Sequence, residues 1–328
     1  MKKSLPIFVL LLALTLQTTL FAQQLPLFSQ YRENNGILNP ASVSNIFHTS
    51  DDNLNVGISY RQQWIGLDGA PTTQTVRAEY IGTSSDNVNI LTGGYIMNDQ
   101  TGPTGFTGAY GRIGAIFSSD PTESGLSVGL TVGVVQYRVN TSKLRLRDAG
   151  DIEATNDQKK IFPDAGLGIY YYKKLSGERG KLNGNTIYGG LSVPQVIGLD
   201  VNYTDNTGKF TTKRIQHFYG LLGFIYGMGD GAYLEPSAWI KYAPNAPINV
   251  DLNLKYQLNP TFWLGAGYST ASMLHAEAGV TLGENIGWDE NHLRIGYGYD
   301  YSFRTFGPYA GSTHEINVSY SLNTNNRR

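Results

Sequence analysis

The sequence predicts an all-β protein: a transmembrane, antiparallel, up-and-down β-barrel of about 14 strands, with an N-terminal segment able to plug or cap the periplasmic side. Three observations carry this. The chain is poor in charge and rich in glycine and tyrosine, with 16% charged residues, 39 Gly and 22 Tyr, where soluble domains carry roughly 25% charge. Past the first 22 residues no apolar run approaches the ~20 residues of a spanning helix, so a closed barrel is the remaining way to satisfy a spanning backbone. Finally, the chain is written in segments of about ten residues that alternate apolar and polar between turns.

The first element is a targeting segment. Lys2 and Lys3 precede an apolar run from residue 5 to 14, and Ala22 closes the stretch before Gln23. This is the pattern of a secretory signal peptide over 1–22, too short and wrongly flanked to span a bilayer. No cysteine follows it to carry a lipid anchor. The Cys count of 0 also excludes disulfides, thiolate metal sites and a cysteine nucleophile. With 25 basic against 26 acidic residues, there is no basic field to attract nucleic acid.

After a segment at 23–50, residues 51–322 read as the barrel and 323–328 as a tail. The clearest strand is "INVDLNLKYQ", with Ile248, Val250, Leu252, Leu254 and Tyr256 on one face and Asn249, Asp251, Asn253, Lys255 and Gln257 on the other. "GLSVGLTVGV" from 125, "HLRIGYGYDYS" from 292 and "HEINVSYSL" from 314 alternate in the same way. Weaker segments lie near 54–64, 72–82, 88–98, 105–118, 164–173, 185–193, 214–226, 232–242, 261–270 and 273–282. If the first strand starts in the periplasm, the long connections near 141–162 and 194–213 lie outside the cell, and "GMGDG" and "QLNP" are periplasmic turns. A soluble sandwich or propeller would also alternate. The barrel is favoured because charges fall mainly on one face and tyrosines recur near strand ends, as in an aromatic girdle.

Little in the chain carries catalytic chemistry. "GLSVG" at 125–129 matches the nucleophile elbow of serine hydrolases, but that motif needs a strand-turn-helix bend, and Ser127 falls inside the most regular alternating strand. His48, His217, His275, His292 and His314 are dispersed, without a metal-binding pair such as HExxH. No cofactor, metal site or catalytic residue is expected. Arg61, Arg77, Glu79, Lys241, Asp251, Lys255, Glu277, Arg294, Asp300 and Glu315 project from polar faces. Their mixed signs read as a salt-bridged lining that holds the barrel's shape; the functional alternative is a selectivity lining or a plug contact.

Two boxes and a hairpin carry a resemblance. The chain opens with "FSQY" (Phe28, Ser29, Gln30, Tyr31) and then "NPA" (Asn39, Pro40, Ala41). Next comes "YRQQWIGLDGAPTT", with Tyr60, Arg61, Gln63, Trp64, Gly66, Gly69, Ala70, Pro71, Thr72 and Thr73. With the closing "HEINVSYSL", these resemble the PorP/SprF family of outer-membrane proteins of the type IX secretion system of the Bacteroidota, over essentially the whole mature chain. Ser42, Val43 and Ser44 stand where the family commonly continues Tyr-Ala-Gly.

The resemblance implies a non-enzymatic barrel of a Gram-negative outer membrane. It would support secretion or cell-surface anchoring of a partner such as a large gliding adhesin with a type IX sorting domain. Periplasmic ring or peptidoglycan-linked components are further partners, and membrane lipid surrounds the wall. The alternative is an outer-membrane channel for small solutes. In the hairpin, Gly69 frees the turn, Pro71 fixes entry into the next strand and Trp64 suits a membrane boundary. Arg61 and Arg77, on the lumen-facing parity, are placed to hold residues 28–41 as a plug or lid.

Overall fold

The computed structural model describes residues 28–84, 86–140, 158–176, 184–197, 200–205, 208–213, 215–283, 286–288, 291–304 and 307–325. The expected signal peptide and most of the connection expected at 141–162 lie outside them. The first strands are β1 (Leu54–Gln62), β2 (Thr72–Gly82), β3 (Val88–Thr101), β4 (Thr104–Phe117), β5 (Ser124–Val139), β6 (Gln158–Ser176) and β7 (Asn185–Val193). A separate hairpin follows, β8 (Asp200–Asp205) with β9 (Gly208–Lys213). Then come β10 (Phe218–Gly229), β11 (Ala232–Tyr242), β12 (Asn249–Gln257), β13 (Phe262–Ser269), β14 (Met273–Leu282), β15 (Asn291–Ser302) and β16 (Thr313–Leu322).

Apart from β8 and β9, each strand pairs antiparallel with its neighbours in chain order, and β1 pairs with β16 to close a 14-strand barrel. The seam runs in unbroken register from Leu54↔Leu322 to Gln62↔His314. Closure leaves the barrel wall no unpaired edge, the condition lipid imposes on a spanning sheet. No helix among the described residues is long and apolar enough to cross a membrane.

The period-two pattern settles which side chains face lipid. On β12, Leu252, Leu254 and Tyr256 are exposed while Asp251, Asn253, Lys255 and Gln257 are buried. On β5, Leu126, Val128, Val132 and Val134 face out and Ser127 and Thr131 face in. The outward apolar surface is what a bilayer accepts; a charge on that face at mid-membrane would cost about 2–4 kcal/mol.

Two expectations need correction. The connection at 194–213 contains the β8–β9 hairpin, and β6 begins at Gln158, so its ladder with β5 extends to Val139↔Gln158. The tyrosines also do two jobs. Tyr60, Tyr171, Tyr226, Tyr256, Tyr297 and Tyr320 are exposed on the lipid face, but Tyr95, Tyr110, Tyr170, Tyr172, Tyr188, Tyr219 and Tyr233 are buried inside.

The two rims differ. At the proximal rim, where β1 begins and β16 ends, the connections include the short turns at 230–231 and 258–261. At the distal rim lie the turn at 63–71, the end of β5, the start of β6 and residues 307–312 before β16.

Candidate functional site in the lumen

Residues 28–53 run inside the barrel, through a 3₁₀ turn (Tyr31–Asn34), a helical turn (Asn35–Leu38) and a short helix (Asn45–Ser50). Most of them are buried and none is exposed, although such a polar stretch has little helix propensity of its own. What orders it is the wall, which binds both the main chain and the side chains of the segment.

At the distal end of this inner segment, the FSQY box docks on β15 and β16. Ser29 N–H donates to Glu315 Oε2 at 2.7 Å and Gln30 N–H to Glu315 Oε1 at 3.3 Å, while the Ser29 hydroxyl donates to Asp300 Oδ2 at 2.6 Å. Arg61 stands behind both carboxylates, with Nη2 3.1 Å from Asp300 and Nε 3.7 Å from Glu315. The segment can lie this close because Gly296 and Gly298 have no side chains: a β-carbon on Gly298 would stand 3.1 Å from Ser29 Cβ. Tyr31 crosses to β11, where its hydroxyl is 2.6 Å from Ser237 Oγ and its ring packs on Trp239 at 5.4 Å. Phe28 is buried beside Met97, Tyr110 and Tyr219.

Charge fixes the middle of the segment. Arg32 is paired with Glu277, and Glu33 Oε1 lies 3.2 Å from Arg294 Nη2 and 3.8 Å from Lys255 Nζ. Burial alone would push the Glu33 carboxyl up, but Arg294, Lys255, Arg77 and Arg32 together hold it down at about 2.

The NPA box docks on the opposite wall. Asn39 Oδ1 accepts from Ala41 N–H at 2.9 Å, a side-chain turn that frames Pro40, and Asn39 Nδ2 donates to Ile169 O at 3.1 Å. Ser192 donates to Leu38 O at 2.6 Å. Three wall glycines make the seat. A β-carbon on Gly129 would run into the Pro40 carbonyl, one on Gly168 would stand 3.1 Å from Pro40 Cδ, and one on Gly190 2.6 Å from Asn39 Nδ2.

Arg112 of β4 clamps the exit from the box. Its Nε donates to Pro40 O at 2.6 Å, Nη2 donates to Ser42 O, and Nη1 is 2.5 Å from Glu79 Oε2. The other Glu79 oxygen accepts Ser44 N–H at 2.7 Å. Glu235 Oε2 accepts from Asn45 Nδ2 at 3.0 Å and Oε1 from the Tyr188 hydroxyl at 2.5 Å. His48 sits among Tyr170, Tyr172 and Tyr188, with Nε2 3.1 Å from the Tyr170 hydroxyl. Burial pushes its imidazole down to about 3, so the ring is neutral.

The hairpin box lies elsewhere, apart from Arg61. Gln63 accepts from Arg61 Nη1 at 3.1 Å, and its N–H donates to Pro71 O at 2.9 Å. Trp64, with φ 52°, opens a distal-rim loop that is knitted to the neighbouring connections. Gly66 N–H donates to Ala310 O at 3.2 Å, Gly102 N–H to Gly69 O at 2.8 Å, and Ala70 N–H to Leu67 O at 3.2 Å. Gly69 has φ 74°, the left-handed region that glycine tolerates. Thr72 pairs with Gln62 and Gln100, and Thr73 donates to Asp99 at 2.6 Å.

The structure therefore joins the FSQY box, the NPA box and Arg61 in one network and leaves Trp64 to Thr72 on the rim. Sequence reading missed Arg112, Glu235, Arg32, Glu33 and Asn45. Parity would have found the first two, since Arg112 and Glu235 share a face with buried neighbours such as Tyr110 and Trp239.

Ser127 is buried within β5, opposite Ile116 and Tyr170, and no helix follows it, so "GLSVG" is not an elbow. Among the described residues no three His, Cys, Asp or Glu side chains are grouped to hold a metal ion.

Solved structures with a similar fold include the P. putida toluene transporter TodX, at 9% identity and a TM-score of 0.54, covering 88% of this chain and 94% of that one. A TodX deltaS2S3 mutant, a monoaromatic hydrocarbon channel, aligns with the same TM-score and coverage at 10% identity. At this identity the likeness is one of fold, that of an outer-membrane barrel. Comparison with curated proteins gives no match. The family model of the type IX secretion system membrane protein PorP/SprF matches residues 20–320. The boxes, the closed barrel and this match agree, and the chain belongs to the PorP/SprF family of type IX secretion outer-membrane proteins.

Proposed function

We propose that this barrel is a non-enzymatic scaffold that supports secretion or surface anchoring of an exported partner, such as a large adhesin of the gliding type, and is not an open solute pore. One observation carries the reading: residues 28–50 cross the lumen from β15–β16 to β5–β7 and are held by charge-assisted hydrogen bonds to Glu315 of β16 at one end and to Arg112 of β4 and Glu79 of β2 toward the other. A water-filled pore would need that space for water. In this reading the inner segment closes the lumen, and the FSQY and NPA boxes and Arg61 keep it there.

The proximal rim, with the shorter turns, faces the periplasm of a Bacteroidota cell, where ring or peptidoglycan-linked components of the machinery would meet it. The distal rim, with the β8–β9 hairpin and the connection after β5, faces outward and receives the partner. Residues 1–22 direct export.

The test is an affinity pull-down of the tagged protein from mildly solubilised outer membranes, followed by mass spectrometry, with bilayer conductance measured on the same preparation. Recovery of one large exported protein or of periplasmic machinery, with no conductance, supports the scaffold. A barrel that comes down alone and conducts ions would refute it and establish a channel.

A further inference from the structure

Between β3 and β6, the lipid-facing side of the distal rim carries an arrangement that neither the lumen nor the apolar belt explains. Register sorts its outward residues into three tiers. The lowest is Ile96, Ala109, Val134 and Pro163, with Ile96 and Val134 each 55% exposed. Above it stand Asn98, Thr107, Gln136 and Ile161, where Thr107 donates to Asn98 at 2.8 Å. The top tier is Gln100, Gly105, Arg138 and Lys159.

Apolar side chains thus give way to amides and then to two cations within the height of three tiers, the order met on passing from acyl chains to headgroups. Arg138 lies directly opposite Lys159, and like charges placed so destabilise a strand pair. Neither has a carboxylate partner among the described residues. Arg138 is held down in place: Nη2 reaches Gln100 Oε1 at 3.4 Å, and its side chain lies over Gly105, where a β-carbon would stand 2.5 Å from Nε. The ladder sets two cations at opposed positions on the lipid-facing side, the Arg138 fork reaching over Gly105 toward Gln100 and Lys159 standing on the strand to its other side. A guanidinium fork and a lysine point charge are each phosphate-binding groups, and two of them set apart in this way suit a lipid that carries more than one phosphate.

We propose that Arg138 and Lys159 bind the phosphate groups of a phosphorylated glycolipid in the leaflet around the distal rim, with Gln100 and Gln136 supplying hydrogen bonds. Under the sidedness proposed above this is the outer leaflet, but the binding itself is read in detergent and does not depend on sidedness.

The test is native mass spectrometry of the full-length protein titrated with diphosphorylated lipid A. At about 1 kcal/mol per basic residue near a charged surface, the R138Q/K159Q variant should bind roughly thirtyfold more weakly than wild type. Wild type should bind dephosphorylated lipid A as weakly as the variant binds the diphosphorylated form. Lys173→Gln, an exposed residue near the proximal rim of the same strand, should change nothing. If the double variant does not fold, Lys159→Gln alone should cost about fivefold. Unchanged affinity in the pair variant, an equal loss with Lys173→Gln, or displacement of the lipid by inorganic phosphate would each overturn the proposal, the last by assigning the site to free phosphate.

Discussion

Replacing Arg112 by Met keeps the apolar stem of the side chain and removes every hydrogen bond that its guanidinium makes. Glu79 loses its ion pair 2.5 Å away, and the carbonyls of Pro40 and Ser42 lose their donors. Breaking one side of a buried pair costs about 3–5 kcal/mol, because the remaining charge stays buried without a partner. The barrel ladder itself is untouched, so the loss should fall on docking of the inner segment. A change of that size is at least a hundredfold in the population of the detached state. Hydrogen exchange followed by mass spectrometry on peptides covering 36–46 should show protection falling by that factor, with the peptides of β13 and β14 unchanged. Adding Glu79→Gln to Arg112→Met should recover part of the loss, since the amide carbonyl still accepts Ser44 N–H and no unpaired charge is left. Unchanged protection over 36–46, or equal loss in segment and wall, would show that the clamp does not hold the segment as a separate unit.

Three further outcomes are expected. Gly168→Val places branched carbon where Asn39 and Pro40 lie, and overpacking of about 1–3 kcal/mol should expose the NPA region in the same exchange assay while Gly111→Val, whose β-carbon would stand 4.0 Å from Val132 O, should not. Acid should loosen the inner segment from two directions. His48 is held at about 3 against an ordinary 6.5, so its neutral docked form loses ground to the protonated free form as pH falls below about 6.5. Glu33, held at about 2 against 4.5, contributes stability above 4.5 that is lost as pH falls toward 2; exchange protection of 28–50 should fall as pH drops below about 6.5 and fall further below about 4.5. Arg61→Ala removes the cation behind Asp300 and Glu315 and should release the FSQY box by about 3–5 kcal/mol, whereas Ser127→Ala should leave docking and partner retention as in wild type; a retained box in the first variant would count against Arg61 as its anchor.

The wall was legible because its code is local. Alternation in "INVDLNLKYQ" assigns Asp251 and Lys255 inward with no knowledge of any other strand, and counting such segments yields the strand number. The β8–β9 hairpin was missed because its strands are short and a long connection was expected there, although Asp205 and Gly208 bracket a turn-like "DNTG". The lumen was harder. Parity says that Arg112 and Glu235 face inward, but not that Arg112 meets Pro40 or that Glu235 meets Asn45, since those partners lie 72 and 190 residues away and are brought together only by closure. The glycines show the same limit. In sequence Gly129, Gly168 and Gly190 look like bends in a sheet; in space they are the absence that lets an Asn-Pro-Ala turn lie flat on the wall.

The register from Leu54↔Leu322 to Gln62↔His314 joins the earliest strand of the barrel to the last one made. Until that seam forms, the wall is an open sheet and residues 28–50 have a way in; afterwards the strands encircle them. No pair of that seam involves residues 28–50, so a chain whose FSQY and NPA boxes do not dock would still close into a hollow cylinder, correct in every strand and lacking its interior.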